Sequence, residues 1–138
     1  MTERGSSGFG WRVLPAIAYV IAVFLGGSLP AGPELPQTLI GSDKLLHLLV
    51  FGGMVLVLWR ATGFFWPRLS PTRQIIIASM ASSGLGAVLE LYQGFLLPSR
   101  SMELLDWVFD TVGIAAVAVA AHMLVGRDRS GSEHGASG

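Results

Sequence analysis

Residues 104–125 read LLDWVFDTVGIAAVAVAAHMLV, an apolar run that carries aspartates at positions 106 and 110. A helix that crosses a bilayer needs about 17–25 mostly apolar residues, and this run has that length. Charge is unfavourable in lipid, so two acids close to one end of such a run indicate a polar site. The segment therefore predicts a transmembrane helix whose first turns are functional.

The composition of the rest of the chain agrees with a membrane protein. Of the 138 residues, 51% are hydrophobic and 13% are charged, whereas soluble domains carry about 25% charged residues. The chain has no cysteine, which excludes disulfides, thiolate nucleophiles and thiolate metal sites. The net charge of zero gives no indication of nucleic-acid binding.

Apolar runs of similar length occur elsewhere in the chain. With the run above, they predict an all-α, polytopic membrane protein with four transmembrane helices in a compact bundle. The expected spans cover residues 13–29, 45–62, 74–97 and 104–125. We expect one membrane domain over residues 1–125 and a disordered cytoplasmic tail over residues 126–138, which is rich in glycine and serine.

The basic residues predict the orientation. Seven of the nine lysines and arginines lie before the first span, around the second connection or after the fourth span, namely Arg4, Arg12, Arg60, Arg68, Arg73, Arg127 and Arg129. Only Lys44 and Arg100 belong to the opposite side. By the positive-inside rule both termini are cytoplasmic, and residues 31–42 and 98–103 face outward.

Polar residues recur at the outward ends of the last three spans. At 1.5 Å per residue their heights coincide at the outer edge of the hydrocarbon core, and spacings of three and four residues place them on shared helix faces. We therefore predict an outward-facing polar pocket that binds a ligand or forms a polar network. Its residues are Asp43, Lys44, His47, Glu90, Gln93, Arg100, Glu103, Asp106 and Asp110.

The charges of this pocket do not balance. Its five carboxylates face two permanent cations, Lys44 and Arg100, which leaves three negative charges, and His47 offsets one if it is protonated. A purely structural network, in which Lys44 pairs with Asp106 or Glu90 and Arg100 pairs with Glu103, is expected to balance its charges. We therefore expect the pocket to carry a proton or a bound cation, with Asp110 as the first candidate for a protonated acid.

The same residues carry a family resemblance. The second span opens with DKLLH (residues 43–47), the third ends with ELYQ (residues 90–93), and PSR (residues 98–100) precedes Glu103, Asp106, Asp110 and Gly113. This ordered set, which covers residues 42–113, resembles the VanZ-like family of small bacterial membrane proteins. The resemblance implies a multi-pass protein of the bacterial inner (cytoplasmic) membrane. The family usually has asparagine where this chain has Asp110, so a purely neutral role for that position does not carry over.

The sequence is compatible with several functions. The leading hypothesis is a pocket that binds an envelope lipid, a glycopeptide-related ligand or an ion, with the resemblance suggesting a link to teicoplanin-type antibiotic resistance or cell-envelope homeostasis. The alternatives are a small intramembrane enzyme acting on a phosphorylated lipid and a proton- or ion-coupled transporter. Membrane lipids are the expected partners and nucleic acid is not. His47 with the neighbouring carboxylates is a set that suits a divalent metal, but no compact ligand motif is present, so no metal or other cofactor is predicted and the catalytic residues are left unassigned.

Overall fold

The computed structural model describes residues 9–29, 42–97 and 104–135. Within these ranges the chain forms four long helices, and a helical turn over residues 9–12 precedes the first. The helices are α1 (Leu14–Ser28), α2 (Ser42–Phe65), α3 (Pro71–Leu96) and α4 (Leu104–Gly135). No strand occurs in the described ranges, so the predicted all-α class is confirmed.

All four helices are long and apolar enough to cross a membrane. The candidate spans are Phe9–Ser28, Lys44–Phe65, Pro71–Leu96 and Leu104–Arg127. Large apolar side chains, such as those of Leu25, Phe95 and Met123, lie exposed along the outer faces of the bundle. Contiguous apolar surface of this kind is unusual on a soluble monomer, and a bilayer accommodates it. The chain is therefore a multi-pass membrane protein with four spans, as the sequence predicts.

Helices α2, α3 and α4 pack on one another, and α1 packs on α2 and α3. Buried apolar side chains from the three central helices form a common core. They are Phe51, Met54 and Val55 of α2, Ala78 and Leu89 of α3, and Ile114 of α4. Side chains of α1, including Tyr19 and Phe24, cover this core from one side. The core lies below the polar ends of α2, α3 and α4 and holds them in fixed register.

Glycines allow α2 and α4 to approach closely. A methyl group at Gly113 of α4 would overlap the backbone carbonyl of Leu48 on α2. A methyl group at Gly52 would lie 3.2 Å from the carbonyl oxygen of Gly113. Small residues at such crossings let membrane helices pack backbone to backbone. The crossing lies about one turn from Asp110 and His47, so it brings the polar ends of α2 and α4 together.

Side-chain hydrogen bonds hold the connection between α2 and α3. The hydroxyl of Ser70 caps α3 by accepting from the backbone N–H of Arg73 at 3.4 Å. The side-chain amide of Gln74 donates to the carbonyls of Trp66, at 3.0 Å, and Leu69, at 3.1 Å. These bonds satisfy backbone groups that a helix end leaves open, and the two helices form an antiparallel hairpin.

Helix α4 extends beyond the span expected over residues 104–125 and ends at Gly135. Only the part up to Arg127 qualifies as a membrane span. The helix continues because the segment contains no proline, and an isolated glycine such as Gly126 lowers helix stability by only about 1 kcal/mol.

Candidate functional site

An ion pair links the first turns of α2 and α4. The ammonium group of Lys44 lies 3.1 Å from Oδ1 of Asp106, and the same nitrogen lies 5.9 Å from the centre of the Phe109 ring. The Lys44 side chain is 26% exposed and that of Asp106 is 10% exposed. The pair is thus partly shielded, and it fixes the relative height of the two helices.

The ring of His47 lies between two aspartates and an aromatic ring. Its Nδ1 is 2.9 Å from Oδ1 of Asp110, and its Nε2 is 3.7 Å from Oδ2 of Asp106. The ring stacks on Phe51 with an interplanar angle of 14°. These contacts give the imidazole one orientation, with each nitrogen directed towards a different carboxylate of α4.

Helix α3 adds a further carboxylate. Glu90 is only 4% exposed, and Glu90, His47 and Asp110 each have a potential ligand atom within 4.8 Å of the other two. Asp110 is fully buried, and its Oδ2 has no hydrogen-bond partner among the described residues. That oxygen lies beside Gly86, where a methyl group would be 2.8 Å away. We refer to Lys44, His47, Glu90, Asp106 and Asp110 together as the polar cluster.

The polar cluster has a surplus of acid. It contains the carboxylates of Glu90, Asp106 and Asp110, whereas its permanent cation is Lys44. Protonation of His47 adds one positive charge and leaves one negative charge over. Buried charge is unfavourable unless it is compensated. The surplus of three that the sequence predicts also counts Arg100, Glu103 and the side chain of Asp43, which lie outside the described residues, so it stays a prediction.

A cleft of about 370 Å³ opens next to the polar cluster. It lies between α1, α2 and α3, and apolar side chains such as Val23 and Leu89 form most of its wall. Tyr19, His47 and Gln93 supply the polar groups of its lining. His47 thus belongs both to the polar cluster and to this space, which we call the α1–α3 cleft.

Hydrogen bonds attach α1 to the other walls of the cleft. The side-chain amide of Gln93 donates to the carbonyl oxygen of Gly27 at 3.1 Å. The hydroxyl of Tyr19 donates to the carbonyl oxygen of Val50 at 2.8 Å. A methyl group at Gly27 would lie 2.9 Å from Cδ1 of Leu89, so glycine lets α1 approach α3 at this end.

The structure brings most of the predicted residues together. Those that meet are Lys44, His47, Glu90, Asp106 and Asp110, and Gln93 lies in the adjoining cleft. Arg100, Glu103 and the side chain of Asp43 lie outside the described residues. The pairing of Lys44 with Asp106 is one of the two partners that the sequence allowed.

Helix α1 and Phe51 contribute to the site in a way that the sequence alone did not predict. Gly26 and Gly27 form the cleft wall at the C-terminal end of α1, and Tyr19 lies two turns before them. The Gly-Gly pair at the end of an apolar span was the available signal, because paired small residues favour close helix contacts. Phe51 follows His47 by four residues and therefore shares its helix face.

No protein-family model matches the chain, and no curated protein or solved structure matches it. The chemistry of the polar cluster and of the α1–α3 cleft is therefore the basis for a functional proposal. Two properties of this region limit which kind of ligand it can bind. The cluster is acidic and closely packed, whereas the cleft is largely apolar and adjoins it through a single imidazole.

Proposed function

We propose that the chain is a VanZ-like protein of the bacterial inner membrane that binds a lipid of the cell envelope in the α1–α3 cleft. The motifs over residues 42–113 support the family and its location. The four membrane spans support a lipid as the ligand, because lipid surrounds the bundle on all sides at this depth.

The observation that carries the proposal is the cleft itself. Its volume of about 370 Å³ falls within the range of small-molecule sites. Such sites combine an apolar lining with a few polar groups that orient the ligand. Here Val23, Val50 and Leu89 offer apolar surface to a hydrocarbon chain, and His47 and Gln93 offer polar atoms to a headgroup.

The neighbouring acids select the headgroup. Asp106 and Asp110 lie beside the two ring nitrogens of His47. Lys44 compensates Asp106, so the Asp110 carboxylate supplies the negative charge nearest to the polar end of the cleft. A bare phosphate is repelled there, whereas hydroxyl and ammonium groups are attracted. The proposed ligand is therefore an envelope lipid whose headgroup carries hydroxyl or ammonium groups.

Filling the cleft tests the proposal. A methyl group at Gly26 meets nothing within 4 Å, and Gly26 lines the cleft. Gly26→Leu therefore adds apolar bulk at the cleft wall from a Cβ that meets no neighbour, and Gly84→Leu is the matched control because a Cβ at Gly84 is also open but lies outside the cleft. Protein purified from bacterial membranes is analysed by native mass spectrometry for retained lipid. We expect one lipid on the unmodified chain and on the control, and none on Gly26→Leu.

The possible outcomes distinguish specific lipid binding in the cleft from nonspecific lipid retention. Equal lipid retention by Gly26→Leu and Gly84→Leu would show that the lipids are nonspecific and would refute the proposal. The fragmentation pattern of a retained lipid identifies its headgroup, and a headgroup without hydroxyl or ammonium groups would refute the selection by charge.

The family resemblance extends the proposal to antibiotic resistance. Binding an envelope lipid in the outer part of the membrane suits a protein that alters the sensitivity of a cell to teicoplanin-type antibiotics. Expression in a sensitive bacterium is expected to raise the inhibitory concentration of teicoplanin, and the Gly26→Leu variant is expected to lose this effect. An unchanged inhibitory concentration on expression of the unmodified chain would contradict the link.

A further inference from the structure

We propose that Arg12 and Arg60 bind the headgroup of an anionic phospholipid at the end of the bundle opposite the polar cluster. At 1.5 Å per residue, Arg60 lies about 24 Å from Lys44 along the axis of α2. Neither arginine lines the α1–α3 cleft. The inference therefore does not depend on the lipid that we propose for that cleft.

The two arginines meet where the turn before α1 contacts the end of α2. A guanidinium nitrogen of Arg60, Nη2, lies 3.5 Å from the carbonyl oxygen of Trp11, and Arg12 is the next residue in the chain. The rings of Phe9 and Phe64, which belong to the same two segments, make an edge contact with centroids 6.0 Å apart. The Arg60 guanidinium is therefore held beside the backbone of Arg12, and two basic residues from separate segments share one junction.

No carboxylate compensates these charges in the described part of the chain. Residues 9–29, 44–89 and 111–127 contain no aspartate or glutamate. The carboxylate side chains that the structure describes all belong to the polar cluster at the opposite end, namely Glu90, Asp106 and Asp110. Arg12 and Arg60 are both exposed. Like charges that lie close together attract an anion, so this junction is suited to an anion from outside the chain.

A lipid phosphate fits two guanidinium groups. Their planar forks donate paired hydrogen bonds to phosphate oxygens, and basic sites between membrane helices bind anionic lipid headgroups. The centre of the Trp11 ring lies 5.3 Å from Cζ of Arg60, and a cation–π contact of this kind orients the guanidinium. Trp11 is therefore a positioning residue, whereas Arg12 and Arg60 contact the headgroup.

The surroundings of the arginines favour a lipid over free phosphate. The ring of Trp11 is 71% exposed, and the exposed Phe65 and Trp66 lie at the same end of the bundle. Aromatic side chains of this kind lie at headgroup depth in a bilayer. Leu56 is 46% exposed, and it lies one turn before Arg60 on the same face of α2. A headgroup bound by Arg60 thus has apolar surface directly beside it for an acyl chain.

Titration with defined lipids measures the site. Both arginines are exposed, so this phospholipid exchanges with detergent during purification and is not among the retained lipid. The full chain in neutral detergent is titrated with phosphatidylglycerol and with phosphatidylcholine of the same acyl chains, and native mass spectrometry gives the affinities. We expect tighter binding of phosphatidylglycerol. The double variant Arg12→Gln/Arg60→Gln is expected to lower that affinity roughly 10–30-fold, since each basic residue at an anionic headgroup contributes a factor of about five.

Arg68→Gln/Arg73→Gln is the matched control. It removes the same charge from exposed residues at the same end of the bundle, in the α2–α3 connection and the first turn of α3. Screening at about 0.15 M salt is expected to limit its effect to less than about threefold. Equal losses in the two double variants would show diffuse attraction and overturn the site. Equal affinity for the two lipids, or displacement of phosphatidylglycerol by millimolar inorganic phosphate, would overturn the assignment to an anionic lipid.

Chemical modification of the chain with its own sequence covers the case in which the variants do not fold. Phenylglyoxal reacts with exposed guanidinium groups, and mass spectrometry of peptides gives the rate at each arginine. Compared with phosphatidylcholine, phosphatidylglycerol is expected to slow the reaction at Arg12 and Arg60 and to leave Arg68 and Arg73 unchanged. Equal protection of all four arginines, or of none, would overturn the proposal. Gly26→Leu is expected to show the same protection, so failure of the cleft and failure of this site are recognised separately.

Discussion

Gly86 of α3 leaves the space that the buried carboxylate of Asp110 occupies on α4. A methyl group at Gly86 would lie 2.8 Å from Oδ2 of Asp110 and 3.3 Å from the ring of Phe51. Helices α3 and α4 therefore pack around an acid where membrane helices normally place small or apolar side chains. The fold is built to accommodate this carboxylate, which argues that Asp110 has a use beyond packing.

We expect Gly86→Ala to lower the free energy of unfolding in detergent by about 1–3 kcal/mol, the usual effect of overpacking a filled interior. Thermal unfolding followed by circular dichroism measures it. Gly84→Ala is the control, because a methyl group there meets nothing within 4 Å. In an Asp110→Ala background the effect of Gly86→Ala should shrink, and an undiminished effect would attribute the strain to Phe51 instead.

The sequence predicted the helices well and the pairings within the site only in part. The spacing of Asp106, Asp110 and Gly113 was sufficient to predict a buried face of α4, because three- and four-residue steps follow a helix face directly. It could not select the partner of Lys44. That choice, between Asp106 of α4 and Glu90 of α3, depends on the relative rotation and height of separate helices, which the spacing of residues within one helix does not encode. The α1–α3 cleft depends on how α1 docks, which no periodicity within α1 encodes.

The Lys44–Asp106 pair should show energetic coupling. Lys44→Met leaves the carboxylate of Asp106 without its ammonium partner and is expected to destabilise the bundle, whereas addition of Asp106→Asn should recover part of the loss. Directly paired side chains have coupling energies of about 0.5–3 kcal/mol in double-mutant cycles. Arg60→Met replaces Lys44→Met in the control cycle, because Arg60 lies over Trp11 at the other end of α2. The stability losses of Arg60→Met and Asp106→Asn should therefore be additive. Additivity of Lys44→Met and Asp106→Asn would contradict the pairing.

The distribution of basic residues predicts the topology. With seven of nine lysines and arginines on one side, a reporter fused after residue 138 should lie in the cytoplasm, and a reporter inserted within residues 31–42 should lie outside. Paired phosphatase and fluorescent-protein fusions distinguish the two compartments. Three spans separate the two sites, so reporters on the same side of the membrane would contradict this odd number of spans and the orientation assigned to the polar cluster.

Gly113 should be the least replaceable glycine of the bundle. A methyl group there overlaps the carbonyl of Leu48, and a backbone atom cannot rotate away as a side chain can. Gly113→Ala must therefore separate α2 from α4, which moves His47 away from Asp110 as well. We expect a loss of several kcal/mol in stability together with loss of the lipid retention proposed above, because His47 lines the α1–α3 cleft. Gly126→Ala on the same helix, where a methyl group meets nothing within 4 Å, should leave both properties unchanged. A stable Gly113→Ala variant that still retains lipid would show that the close crossing of α2 and α4 does not position His47.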